Sequence, residues 1–333
     1  MTETDIKLTS KRSHGIADMK KRSRMKVFVT GASGWIGRAV VPELLEANHQ
    51  VLGLARSDAA AAALVEAGAE VLRGSVDDLD VLRDGAQASE GVIHLAFKHD
   101  LAFSGDFEGA ADADRLAIET FGDALAGTDR PFVIASGLLG LKPGELATED
   151  DGHGRPSTTA FGSGPSQRQA NAETTLSFAS RGVRSSIMRL APTVHGDGDN
   201  GFMATVVAIA RATGVSGYIA DGTNRWPAIH RFDAAHLFRL ALENAPAGTT
   251  LHANGEEGVA IRDVAEVIGR HLNIPVVSVA PEDAPAHFTW LASFLGLDSP
   301  ASNAKTRELM NWTPAHPGLL EDLDADWYYR HTS

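Results

Sequence analysis

The sequence predicts an α/β fold: a Rossmann-type doubly wound parallel sheet carrying a smaller C-terminal lobe. Three observations lead there. Short β-rich runs alternate with helical stretches from Met25 onward, three glycines sit at the first strand-to-helix corner, and the alternation loses its regularity after residue 195. The boundaries read as a basic leader over 1–24, a Rossmann domain over 25–195, and a lobe over 196–333 with some segments returning to the first core.

KVFVT (26–30) is the first strand. Residues 34–49 have helical spacing, with Val40, Val41, Leu44 and Leu45 on one face. QVLGLAR (50–56) is the second strand and 57–68 the next helix. EVLRG (70–74), GVIHLAF (91–97) and RPFVIASG (130–137) are further strands, with a helix from about Asp106 to Ala126. VRSSIMRLAP (183–192) is the sixth strand, preceded by a helix over 168–180. Strands joined through helices imply right-handed crossovers and a sheet covered on both faces. Beyond 195 come a helix over 202–212, the short strands GYIAD and WPAIH, and a helix over 233–243. A strand near Leu251, a helix over 261–272 and PVVSV (275–279) follow, then a helical tail rich in Trp and Pro.

Charge narrows the function classes. The chain carries a formal −13, yet residues 1–24 carry +4, leaving about −17 on the rest. Such a body excludes a nucleic-acid partner, which needs clustered positive charge. The leader lacks an apolar core and is no secretory signal; Glu3, Asp5 and Asp18 do not suit an organelle-targeting peptide. It reads as a disordered extension before a start at Met25, in a cytoplasmic protein. No apolar run is long enough to span a membrane, and the absence of cysteine excludes disulfides and thiol chemistry.

VTGASGWIG places Gly31, Gly34 and Gly37 between a strand and a helix. Gly31 permits the tight turn, Gly34 lets backbone approach a pyrophosphate, and Gly37 lets helix and strand pack closely. The helix N-terminus offers free N–H groups to phosphate. Thr30, Ser33, Trp35 and Ile36 belong to the same candidate dinucleotide loop. An NAD site usually ends the second strand with an acid for the ribose 2′-OH. Here Arg56 and Ser57 stand in its place, and Arg38 follows the third glycine; guanidinium groups there suit a 2′-phosphate. The expected cofactor is therefore NADPH/NADP+.

Together with HLAF (94–97), IASG (134–137), RLAPTVHGDG (189–198) and RWPAIHRFDAAHLFRLALE (225–243), this loop resembles the extended or atypical branch of the short-chain dehydrogenase/reductase superfamily, the NAD(P)-dependent epimerase/dehydratase type. The likeness runs from about Lys26 to the C-terminus. It implies that the backbone of Leu95, Ala96 and Phe97 passes the cofactor. It also implies that Pro192, Thr193 and Val194 meet the nicotinamide, that Ser136 is the catalytic serine, and that the chain forms a homodimer through two helices of the first domain.

Two departures stand out. Ser75 replaces a frequent adenine-contacting Asp, for which Asp77 is the candidate substitute. The family's tyrosine–lysine pair is missing: Tyr218, Tyr328 and Tyr329 are the only tyrosines, none has lysine four residues on, and no lysine lies between Lys142 and Lys305. Arg168 lies near the lysine's place, but Gly164 stands four residues before it. Carbonyl reduction still needs its oxygen stabilised and a proton delivered. The catalytic candidates are Ser136, Arg168 and His195, whose ordinary imidazole pKa near ~6.5 suits acid work. Each has a plain structural alternative: a capping hydroxyl, an exposed helix arginine, a turn histidine. His195, Phe202, Trp226 and His230 are the substrate-side candidates, with Phe288 and Trp290 as further aromatics of the lobe. His153 lies in an acidic, glycine-rich loop able to fold over the site. No histidine pair has metal-site spacing beside a carboxylate, and no GxSxG elbow precedes Ser136.

The chemistry these residues suit best is hydride transfer to a small organic ketone, enone or imine. An iminium, already charged, suits a site without tyrosine. A non-catalytic NADP(H) sensor and a nucleotide-retaining epimerase or dehydratase are the alternatives.

Overall fold

The computed structural model describes residues 24–154 and 163–330. The basic leader falls almost wholly outside them.

Seven parallel strands form the main sheet in the order β10-β6-β5-β4-β1-β2-β3. They are β1 (Lys26–Thr30), β2 (Gln50–Ala55), β3 (Glu70–Arg73), β4 (Gly91–His94), β5 (Pro131–Gly137), β6 (Arg184–Leu190) and β10 (Thr249–Ala253). The order reverses between β1 and β4, and such a switch point opens a crevice at the carboxyl ends of the strands. β1 is buried along almost its whole length, as a central parallel strand must be. On one face α1 (Gly37–Glu46) supplies Val40, Val41 and Leu44 against Leu237, Phe238 and Ala241 of a later helix (Arg231–Asn244). On the other, Phe28, Phe121, Phe132 and Phe178 form the core under α3 (Leu79–Gln87), α5 (Phe107–Leu125) and α6 (Ser163–Ser177).

The second lobe is built on a three-stranded sheet, β11 (Glu256–Ala260), β9 (Arg225–His230) and β7 (Thr193–His195), and a two-stranded sheet, β12 (Val276–Val279) and β8 (Ser216–Ile219). Its separate core contains Trp226, Met203, Ile268, Phe288 and Leu291.

The expected elements differ from the observed ones at several ends. The fourth strand stops at His94 instead of Phe97. Leu95 N still donates to Thr30 O (3.2 Å), but Ala96 N turns to the Thr30 hydroxyl (3.3 Å), which takes the chain off the sheet. The first helix begins at Gly37, since residues 31–36 are the glycine turn itself. The short helices α3 and α4 (His99–Phe103), and the strands β7 and β11, had no expectation at all. No described helix is long and apolar enough to cross a membrane.

Candidate functional site

The crevice at the switch point is a cleft of about 990 Å³. Its floor is the glycine loop. Gly31 has φ +65°, and a Cβ on it would lie 2.8 Å from Ala96 N; a Cβ on Gly37 would lie 2.2 Å from Gly31 O. Both positions therefore exclude side chains, whereas Gly34 turns its exposed backbone to the cleft. The loop is held by Gly34 N donating to Gly31 O (2.9 Å) and by the Trp35 indole N–H donating to Val194 O (2.8 Å). The second bond ties the loop to β7, and the Arg231 guanidinium covers the Trp35 ring at 4.6 Å. An amide-lined turn at a helix start is the cradle a pyrophosphate fits.

Ser33, Trp35 and Ile36 line the cleft with the three glycines, as do Leu95, Ala96, Phe97, Pro192, Thr193 and Val194. Thr30 does not: its buried hydroxyl is used by Ala96 N and by His94 Nδ1 (2.6 Å). Arg56 lines the far end, its side chain 75% exposed and 3.5 Å from Asp100. The first acid after β2, Asp58, is occupied by Arg73 at 2.7 Å. Ser57 caps the following helix by accepting from Ala60 N, and Arg38 donates to Ser33 O (3.0 Å); neither lines the cleft. Asp77 does, paired with Lys98 Nζ at 2.6 Å.

At the other end Ser136 and Arg168 line the same cleft. The Arg168 guanidinium lies 4.0 Å from the Phe97 ring centre, and its Nε is shut off from solvent with no hydrogen-bond partner. Burial drives its pKa down, opposed by the charge of Asp114; an arginine so placed still keeps its proton at neutral pH. Asp114 itself is fully engaged. Its Oδ1 meets His94 Nε2 (3.3 Å) and its Oδ2 accepts from the Asn171 amide (2.9 Å), while Thr30 serves the other ring nitrogen of His94. Burial alone would raise the Asp114 carboxyl, but His94, Arg168 and Asn171 together hold it below the usual range. This chain of contacts joins the end of β1 to the helix bearing Arg168.

His195 sits elsewhere. It is wholly buried, its Nδ1 2.6 Å from Asp322 Oδ2, and it does not line the cleft. A role as acid over the nicotinamide does not fit that placement; the register pairs it with His230 on β9, on the lobe side. His230 stacks on His316 at 4.7 Å and accepts from Phe232 N, capping its helix. Trp226 is a core ring whose N–H donates to Leu297 O (3.1 Å). Phe202 alone of the four substrate-side candidates lines the cleft. His153 bonds Glu173 (2.8 Å) and lies outside the lining.

Residues without a sequence expectation complete the wall: His99 and Phe103 of α4, Phe107, the run Leu138–Leu141, and Phe294. A second aromatic every few residues directly after HLAF, in FKHDLAFSGDF, is the signal that would have found the first three.

Fold and cleft together define a nucleotide-crevice protein of the extended short-chain dehydrogenase/reductase class. Residues 27–253 match the model of the NAD dependent epimerase/dehydratase family, and the chain belongs to that family. It is 45% identical over 306 residues, 92% of this chain and 100% of the relative, to an uncharacterised protein of Schizosaccharomyces pombe. It is 25% identical to a UDP-glucose 4-epimerase of Streptomyces lividans over 92% of this chain and 97% of that one. MoeE5, solved with UDP-glucuronic acid and NAD, superposes with a TM-score of 0.72 at 20% identity, covering 91% and 99% of the two chains.

Proposed function

We propose that the protein is an NADPH-dependent oxidoreductase that reduces a small, largely apolar ketone or enone. The carrying observation is the enclosed Arg168 guanidinium in the wall that also holds Ser136.

Gly31, Gly34, Gly37 and the backbone of Leu95–Phe97 would hold the dinucleotide, with Arg56 at its 2′-phosphate. Reduced nicotinamide, when bound, supplies the hydride. For a ketone, the carbonyl carbon gains that hydride and the C=O π pair moves to oxygen. Arg168 stabilises the developing oxyanion through a charge that costs little reorganisation, because Phe97 fixes it beforehand. The Ser136 hydroxyl donates a hydrogen bond to the same oxygen and passes it a proton, regaining one from water. For an enone, the hydride adds to the β-carbon, the conjugated π electrons shift to an enolate whose oxygen the same groups hold, and the α-carbon then takes a proton from water.

A fixed guanidinium alters the ranking of substrates. An iminium would meet the like charge of a guanidinium whose Nε is shut off from solvent, so an imine is the weakest of the three candidates.

Likeness to UDP-glucose 4-epimerase favours a second reading, epimerisation of a nucleotide sugar. A second diphosphate would need its own cations. Among the described residues, the basic ones lining the cleft are Arg56 and Lys98 at the Asp77 end, Arg168 on Phe97, and Arg189, which is 2% exposed and donates to Asp151 O (2.7 Å). None is free at the lobe side, which favours reduction of an apolar compound.

The test is a panel of ketones, enones and matched imines with NADPH, run beside UDP-glucose. Oxidation of NADPH coupled to reduction of a ketone or enone is the expected result. Interconversion of UDP-sugars without net oxidation would replace this reading with the second.

A further inference from the structure

Two large aromatic side chains stand in water at the mouth of the cleft and touch each other across it. Phe103, 46% exposed, comes from α4 on the Rossmann side; Trp290, 42% exposed, comes from the turn Thr289–Leu291 in the second lobe. Their ring centroids are 4.9 Å apart, tilted by 35°. Behind them Phe202 stands 5.8 Å from Trp290 and 6.4 Å from Phe103, and Phe294 stands 5.9 Å from Phe202. His99 stacks on Phe103 at 5.8 Å, extending the aromatic edge of the opening.

A core would not leave such rings exposed, and each projects from a short element into the opening. Aromatic faces in this arrangement favour a flat π-system, which gains offset-stacked or edge contacts that a saturated ring of equal size does not. Resting on the oxidoreductase reading above, we infer that Phe103 and Trp290 form a two-lobe aromatic clamp selecting substrates whose carbonyl is borne by a flat aromatic ring system. The clamp parts to admit the ring, and Phe202 and Phe294 receive it behind, with the carbonyl directed inward to the end where Ser136 and Arg168 lie.

The probes are 2-acetonaphthone and its saturated counterpart, a decalyl methyl ketone, titrated calorimetrically into the full chain with NADP+ present. The naphthyl ketone is expected to bind at least tenfold more tightly and to quench tryptophan emission. Phe103→Ala and Trp290→Ala should each erase most of that tenfold preference, while Trp290→Phe retains it. Both side chains are half-exposed, so the variants should melt with the parent; Trp290→Phe guards against a folding artefact. Equal binding of the two ketones by the parent, or an undiminished preference in both alanine variants, overturns the clamp. Failure of the cofactor reading appears separately, as absence of heat on adding NADP+ alone, and the ring preference is then read in its absence.

Discussion

The guanidinium carbon of Arg168 lies 4.0 Å from the centre of the Phe97 ring, and that stacking joins the helix after the missing tyrosine to the segment that passes the cofactor crevice. A cation held against a π-face, with its Nε shut off from solvent, is fixed before any substrate arrives. Arg168→Met should lower kcat for a ketone substrate about 100-fold or more, with the affinity for NADPH nearly unchanged. Steady-state kinetics beside a cofactor titration checks both halves. Arg168→Lys should recover little, since an ammonium cannot stack and bond in the same plane.

In the proposed function, the preference for NADPH rests on Arg56. The residue directly after β2 is Arg56, and the first acid beyond it, Asp58, starts the next helix and pairs with Arg73. Arg56→Ala should reduce the preference for NADPH over NADH by about 10- to 100-fold, the worth of one charged hydrogen-bonding group. The ratio of the two kcat/KM values is the readout, and loss of NADPH affinity with unchanged NADH affinity is the expected pattern.

The glycine loop tolerates no side chain at its tightest point. Gly37→Ala would place a Cβ 2.2 Å from Gly31 O, with backbone rather than a flexible side chain in the way. A destabilisation of about 1–3 kcal/mol, or more, is expected in urea unfolding, together with loss of dinucleotide binding.

Acidification should unfold the protein through buried imidazoles. His230 and His252 are each held down to about 4, burial being the first cause in both. Unfolded, each titrates near ~6.5. Between those values the unfolded chain binds more protons than the folded one, so stability rises with pH and falls as pH drops from 6.5 towards 4. Up to about two protons should be taken up on unfolding in that window. Urea midpoints measured across the window give the slope. His252→Asn should flatten it, because the Nδ1 contact of His252 to Ser302 O (2.8 Å) is one an amide can keep.

The strand–helix alternation and the glycine corner were legible because both are local: hydrophobic period and turn chemistry lie within a few residues. The same holds for Arg56 at a strand end and for Phe202 at a helix start. His195 was not legible in this way. Its partner is Asp322, a hundred and more residues on, and only the packing of the second lobe brings the two to 2.6 Å. Trp226 shows the same limit, since an aromatic on a lobe strand reads alike whether it faces the core or the cleft. His99 and Phe103 escaped because α4 is a single short helix with no periodic signal. Arg168 was visible as a residue, but its enclosure depends on Phe97 and on Asp114 held by His94 and Asn171.

The most direct measurement is loss of the reduced-nicotinamide absorbance in a rapid-mixing experiment with NADPH and an aryl ketone. The account predicts oxidation matched by formation of the alcohol, faster with NADPH than with NADH and slowed about 100-fold or more by Arg168→Met. Bound NADPH that persists through the whole ketone and enone panel, while UDP-glucose is epimerised, would contradict it.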